Sequence, residues 1–446
     1  MSTVTLDALR TYLPDQQWKR DVLLIVGAFL GVYVLFGLVG LALGFSANGI
    51  ANTLRRITFL AAVYALLVLA LNLHWGYTGL FNIGVAGFMA VGVYTMAIMT
   101  APPDASVPGF GLPLWIGVIA GMIAAALVGL VAALPALRLR ADYLAIVTLG
   151  LSEIIRLTFQ SRWLSDRLEE TVGVGYGGGS GMGIPNNPSV IGDYLFFWGG
   201  DPTGAPTPLG SLAFSVGELL EIQRSVIVGW GYVFVLLGFV AVFYWLLVRI
   251  GNSPFGRVLK AIREDEVVAD SLGKDTRLFK IKVFMLGCAL MGLAGILWQG
   301  SQGFTSPREF MPLLTFYVFI ALIIGGAGSN TGSVLGGVFF AAILFEGPPY
   351  IPRLLEAGLG RLGMSFGPEP STFYDAVTPL ATLDVLPLLA YADGNISMLR
   401  FVLLGVVLIL VIQRRPDGLL GHRTETASSV DLSIRPVPTA GGGRDE

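Results

Sequence analysis

The chain has 446 residues, of which 54% are hydrophobic and 13% charged, and its mean hydropathy is +0.73. So apolar a composition excludes an ordinary soluble domain and marks a membrane protein, while a formal net charge of −2 gives no reason to expect nucleic acid or any strongly charged partner. The one cysteine, Cys288, lies in an apolar run and excludes an intrachain disulfide framework, and two histidines, His74 and His422, cannot build a metal cage; no metal site is expected.

A bilayer core asks for about 20 apolar residues per spanning helix. In chain order, such runs occur at 22–45, 57–73, 82–100, 113–136, 143–160, 226–248, 283–300, 311–325, 333–346 and 399–413. They predict an all-α, polytopic bundle of about ten membrane segments, several of them short or interrupted. The membrane domain runs over 22–421, after a cytoplasmic segment 1–21 and before a disordered cytoplasmic tail 422–446 that contains Pro436, Pro438 and three glycines. The first run is too long for a signal-peptide core and follows Asp7, Arg10, Asp15, Lys19 and Arg20, so it is expected to remain in the mature protein.

Lys and Arg accumulate on the cytoplasmic side of a membrane protein. The loop 249–282 holds eight basic and five acidic residues, against three and seven in 160–225 and two and six in 346–398. The first loop is therefore inside and the other two outside. Alternation from there places both termini inside, with Arg138 and Arg140 of "LRLRADY". Arg55 and Arg56 disagree, because the same alternation puts them outside; either the helix boundary lies elsewhere or a short segment there fails to span. The outer stretches "GVGYGGGSGMGIPNNP" (173–188) and "GPPYIP" (347–352) are dense in turn formers and are expected to be ordered only in part.

The inner loop contains a charged island, "GRVLKAIREDEVVADSLG" (256–273). Val258, Leu259 and Ile262 recur at helical spacing before Glu264, Asp265 and Glu266 interrupt. Asp265 suits an N-cap, Glu266 favours the positive helix end, Val268, Ala269 and Leu272 form a short apolar stripe, and Gly273 can close it. A short amphipathic helix lying across the inner end of the bundle follows, with a solvated linker as the alternative.

The block "HWGYTGLFNIGVAG" (74–87) gathers Gly76, Gly79, Gly84 and Gly87 with Thr78 and Asn82 at the start of an apolar segment. A broken or late-starting helix there would point to a translocation path, since irregular backbone at membrane depth needs protein or a water-filled cavity to satisfy it. For Gly84 and Gly87 taken singly, close helix packing competes with that role. His74 and Trp75 sit before the turn, at an expected interface, and are given no chemistry. Glu153 and Arg156, three residues apart in an apolar run, can neutralise each other, or Glu153 can line an outer vestibule and meet an ammonium group.

Taken together, "LNLHWGYTGLFNIGVAGFMAVGVYT" (71–95), "LRLRADYLAIVTLGLSEIIRL" (137–157), "SPFGRVLKAIREDEVVADSLGKD" (253–275), "GLAGIL" (292–297), "GGAGSNTGSVLGG" (325–337) and "RRPDGLLG" (414–421) resemble the branched-chain amino acid ABC transporter permease family of the LivM type, a type II importer architecture. The resemblance runs from about residue 57 to 420, with insertions in the outer loops. It implies that the island is the cytoplasmic coupling loop that docks on a separate ATPase, with Gly256, Arg257, Arg263, Glu264, Glu266, Ala269 and Gly273 at matching positions beside the capping Asp265. It further implies two ATPase subunits, a second related permease or a second copy of this chain, and an external solute-binding protein. Val85 stands where the family usually has histidine or glutamine.

The chain has no "GxxxxGK[ST]" phosphate loop, and "GGAGSNTGS" lacks the lysine such a loop needs. No cofactor of its own is expected, and ATP would be bound by partners. The same blocks occur in permeases for urea and short amides. A gradient-driven secondary transporter would ask for several intramembrane acids, where Glu153 is essentially alone, and an intramembrane enzyme would ask for a nucleophile and base that the spans do not offer.

Overall fold

The computed structural model describes residues 17–136, 141–361 and 367–420. Arg138, Arg140, the leader up to residue 16 and the tail from residue 421 lie outside the described residues. Every predicted apolar run falls on a helix. The first five are α1 (Gln17–Ala42), α2 (Ala47–Thr78), α3 (Val85–Thr100), α4 (Leu114–Ala136) and α5 (Ala141–Gln160). The stretch 160–225 carries α6 (Arg162–Val172), α7 (Val190–Phe196) and α8 (Pro208–Leu219). Then come α9 (Arg224–Gly251), α10 (Pro254–Glu264), α11 (Glu266–Ser271), α12 (Thr276–Trp298), α13 (Pro312–Gly325) and α14 (Asn330–Phe339), the last running into a π-helical turn, Phe340–Glu346. Helices α15 (Tyr350–Arg361), α16 (Phe373–Val377), α17 (Leu386–Gly394) and α18 (Ile396–Arg414) follow. The fold is all-α, with one two-residue ribbon pairing β1 (Met182–Gly183) and β2 (Phe304–Thr305) among the described residues.

The expected count of ten spans is not matched one for one. Among the described residues, α1, α2, α4, α5, α9 and α12 are long and apolar enough to cross a membrane, and α13 with α14 and its π turn makes a pair bent by 120°. Length accounts for part of the difference: the 14 residues of α13 reach only about 21 Å at 1.5 Å each, short of a core about 30 Å thick. The 16 residues of α3 fall short as well.

The end of the bundle that carries residues 252–275 is called proximal here and the opposite end distal. Helix α2 runs the whole way between them at the centre, its apolar window 94% buried against 11% for the peripheral α1. The puzzle of Arg55 and Arg56 is one of boundary. Ser46 caps α2 by accepting from the Gly49 N–H, so both arginines lie two turns inside a continuous helix whose polar first turns do not read as a span. They sit at the distal end, where Asn48 accepts from the Gln223 N–H at the start of α9. Arg56 pairs with Glu346 at 3.0 Å and Arg55 bonds Asn52.

Helices α3, α4 and α12 meet backbone to backbone. A Cβ on Gly92 would stand 2.6 Å from the Gly292 carbonyl, and one on Gly121 the same distance from the Gly92 carbonyl; small residues allow this approach where lipid supplies no hydrophobic drive between helices. Distally, the glycine-rich stretch 173–188 is more structured than its composition suggests. The Ser165 hydroxyl accepts from the Tyr176 and Gly177 N–H groups, the Tyr176 hydroxyl donates to the Thr158 and Ser161 carbonyls, and β1 pairs with β2.

Candidate functional site

The charged island folds as two helices meeting at a corner. Ser253 caps α10 by accepting from the Gly256 N–H, and Pro254 fills its first position. Gly256 is required there, since a Cβ would lie 2.2 Å from the Ile250 carbonyl. Asp265 ends α10 in extended conformation and caps α11, accepting from the Val267 and Val268 N–H groups at 2.9 and 3.0 Å. Gly273 closes the segment with φ +76°, the left-handed region that favours glycine. Arg257, Glu264 and Glu266 stand at the surface, and Glu266 pairs with Lys280 of α12.

One expectation needs correction. Ala269 does not belong to the exposed stripe, for it is 3% exposed and faces the protein, while Val267, Val268 and Leu272 are 75%, 54% and 73% exposed. The Glu266–Lys280 pair holds α11 against α12 in the orientation that turns Ala269 inward, and this makes Val267, rather than Ala269, the third member of the outward apolar face.

The island and the glycine block, read separately in the sequence, touch. Arg263 of α10 donates to the Gly76 carbonyl near the proximal end of α2, and Gly79, the left-handed cap of α2 at φ +70°, lies against the Arg263 side chain. The turn between α13 and α14 joins them. The Asn72 carboxamide accepts from the Gly328 N–H at 2.7 Å and donates to Asn330 at 3.1 Å, and the Tyr77 hydroxyl donates to the same Asn330 oxygen at 3.0 Å. Beyond that turn, the N–H groups of Leu419 and Leu420 donate to the Ile324 and Gly325 carbonyls. Four of the six quoted sequence blocks thus converge on one joint.

Helix α3 does start late, at Val85, and the backbone N–H groups around its start are satisfied by side chains of the turn itself, of α5 and of α13. The Asn82 carboxamide donates to His74 Nδ1 and accepts from the Gly84 N–H, Thr148 accepts from the Ile83 N–H, and Thr315 accepts from the Ala86 N–H. Thr78 bonds the His74 carbonyl. Thr78 and Asn82 are buried and their polar groups serve the chain's own framework in this conformation. Gly84 and Gly87 lie against α5, where a Cβ would stand 2.9 Å from the Thr148 carbonyl and 2.7 Å from Ser152 Cα, the close-packing geometry.

His74, given no chemistry from its place before the turn, is fully buried in the protein. Its Nε2 faces the Val283 and Phe284 carbonyls of α12 at 3.2 and 3.1 Å, and its ring stacks on Phe284; with Nδ1 accepting from Asn82, Nε2 carries the proton. Helix α2, the turn and α12 are pinned by this one ring. Asn72, Tyr77 and Asn330 also escaped the sequence reading. The available signal was a lone amide inside the apolar run of α2, where polar groups are kept only if bonded. Glu153 lies apart from the joint, on α5, and forms a two-point pair with Arg156.

Comparison with known proteins now bears on this arrangement. Residues 53–353 match the family described as "Branched-chain amino acid transport system / permease component". The chain is 35% identical over 283 residues, 63% of its length and 60% of the relative's, to the "High-affinity branched-chain amino acid transport system permease protein LivM" of Escherichia coli K12. It is 25% identical over 389 residues, 81% of its length and 91% of the relative's, to a "Probable branched-chain amino acid transport permease protein LivM" of Methanocaldococcus jannaschii. A shorter match, 33% over 94 residues (21% of this chain, 30% of the relative), links it to the E. coli permease protein LivH. The chain spans about 60% of the length of the E. coli and Salmonella LivM relatives, and no solved structure matches it. It is a multi-pass membrane protein that belongs to the permease-component family of branched-chain amino acid transport systems.

Proposed function

We propose that the chain is the membrane-spanning permease subunit of an ATP-driven importer for branched-chain or related amino acids, hydrolysing no ATP itself. Its proximal end faces the cytoplasm together with both termini. A pair of ATPase subunits grips α10 and α11, a second related permease or a second copy of this chain completes the path, and an external solute-binding protein delivers the cargo. The observation that carries this reading is the joint. A helix with an outward apolar face of Val267, Val268 and Leu272 is tied through Arg263 to the Gly76 carbonyl, and from there through Asn72 to the bent α13–α14 pair. A pull on α11 would therefore reach the bent pair through hydrogen bonds rather than through loose loop.

Single cysteines at 267, 268 and 272 test it, because the native Cys288 is buried. Crosslinks from these positions to the companion ATPase, shortening or lengthening with bound ATP, are the expected result. Their absence in a complex that still accumulates solute would sink the docking assignment. Val85, which departs from the family pattern, keeps urea and short amides as the second reading; competition of labelled leucine uptake by acetamide or urea decides between the two.

A further inference from the structure

Two turns below Arg56 on α2, about 12 Å deeper toward the middle of the bundle, Tyr64 stands in a ring of aromatic side chains drawn from three other elements. Its ring centroid lies 4.7 Å from Phe340, 5.2 Å from Trp298 of α12 and 6.1 Å from Phe345, and Tyr317 of α13 closes the ring at 5.6 and 6.0 Å from the two phenylalanines. Phe340 and Phe345 belong to the π-helical turn, a departure from regular helix that is enriched at functional sites. Over this box comes Arg400, one turn into α18, with its guanidinium carbon 4.6 Å from the Phe345 centroid and within electrostatic reach of Tyr64 and Tyr317. Arg400 Nε is buried without a hydrogen-bond partner among the described residues. The neighbouring acid, Glu346, is already held by Arg56.

An arginine set into an apolar helix with its Nε buried is costly unless an anion or dipoles answer it, and a phenylalanine face answers only part of its charge. The missing element is a planar, two-oxygen anion, the shape a guanidinium binds best. Trp298, Tyr317 and Phe345 are only partly buried, so the box presents an accessible apolar wall with the one phenol of Tyr317, backed by the buried Tyr64 and Phe340. We propose that Arg400 and this box form a carboxylate-binding subsite for a small apolar amphiphile. Resting on the function proposed above, it takes the α-carboxylate of the transported amino acid on its way in from the distal side, with the aliphatic side chain against the rings.

Equilibrium binding of labelled leucine to the full chain, reconstituted with its companion subunits in lipid nanodiscs and competed with leucinamide, tests the subsite without requiring transport. Arg400→Gln is expected to weaken leucine binding about ten-fold or more, the loss of a charge-assisted contact, and Arg400→Lys to weaken it less. The wild type should prefer leucine over leucinamide, and Arg400→Gln should erase that preference; a variant that merely loosened the fold would weaken both ligands alike. Should Arg400→Gln fail to assemble, Arg400→Lys and Tyr64→Phe carry the same comparison. No leucine binding by the wild type, equal binding by Arg400→Gln, a wild type indifferent to the amide, or binding that follows the anionic-lipid content of the disc instead of Arg400 would each overturn the proposal. Absence of ATP-dependent leucine uptake by the wild type would sink the importer reading instead and leave the binding result to be judged by itself.

Discussion

At the proximal end, Asn72, Tyr77, Arg263, Gly328 and Asn330 are knitted by hydrogen bonds that cross from α2 to α10 and to the α13–α14 turn. Away from that joint, and mostly toward the distal end, polar groups are left open: Tyr94, Ser152, Thr305, Glu309 and Arg400 each bury a side-chain atom without a hydrogen-bond partner among the described residues. Among the described residues, no side-chain nitrogen or oxygen of 72–84, 252–275 or 324–333 is in that position. A buried, unbonded polar atom costs about 1–3 kcal/mol, so one half of the molecule is built for stiffness and the other tolerates unmet demand. Force enters at the stiff half in the proposed mechanism, and solute enters at the open one.

The contrast can be broken most severely at Gly76. A Cβ there would lie 2.6 Å from the Gly328 nitrogen and run into the Asn72 carboxamide, so Gly76→Val is expected to cost about 3 kcal/mol or more and to abolish uptake, read as a large fall in thermal midpoint of the purified protein. Next comes Asn72→Leu, which strands the Gly328 N–H and leaves the Asn330 oxygen to Tyr77 alone. A loss of about 1–3 kcal/mol should accompany uptake that falls further than ATP hydrolysis by the assembled complex; parallel loss of both would mean that the joint holds the fold and transmits nothing. Gly273→Val forces a β-branched residue to φ +76° at about 1–2 kcal/mol, confined to α11. Uptake should drop while the thermal midpoint moves little, and unchanged uptake would count against the docking role.

The smallest effect tests the open half. Burial raises the Glu309 carboxyl to about 7, above its unfolded value, so its contribution to stability is complete below the unfolded pKa and disappears as pH rises through about 7. Glu309→Gln should therefore leave the melting temperature nearly unchanged at pH 4.5 and raise it relative to wild type at pH 8. A wild type whose stability grows between those values through this residue would contradict the assignment.

Much of this was legible from the chain itself. Apolar runs of membrane length located the helices, because lipid imposes one composition on every spanning segment, and the Asp265 and Gly273 caps could be read because a cap is local. What stayed hidden depends on distance in sequence. Nothing near Asn72 announces Gly328, Tyr64 and Arg400 are far apart in sequence, and a π turn leaves no periodic mark in a uniformly apolar stretch. Arg55 and Arg56 misled for the opposite reason, since charge alone disguised the first turns of the central helix. Ala269 was placed on the wrong face because six residues are too few for spacing to fix a helix's rotation when a single ion pair to Lys280 decides it.

The seam where Gly92, Gly121 and Gly292 touch bears on how such a machine can move. A contact made largely of main chain has few rotamers to exchange, so sliding α3, α4 and α12 past one another would open voids that little nearby can fill. In the proposed transport cycle those three helices are expected to travel as a single slab, with the pivot at its border, where α13 and α14 bend away from it.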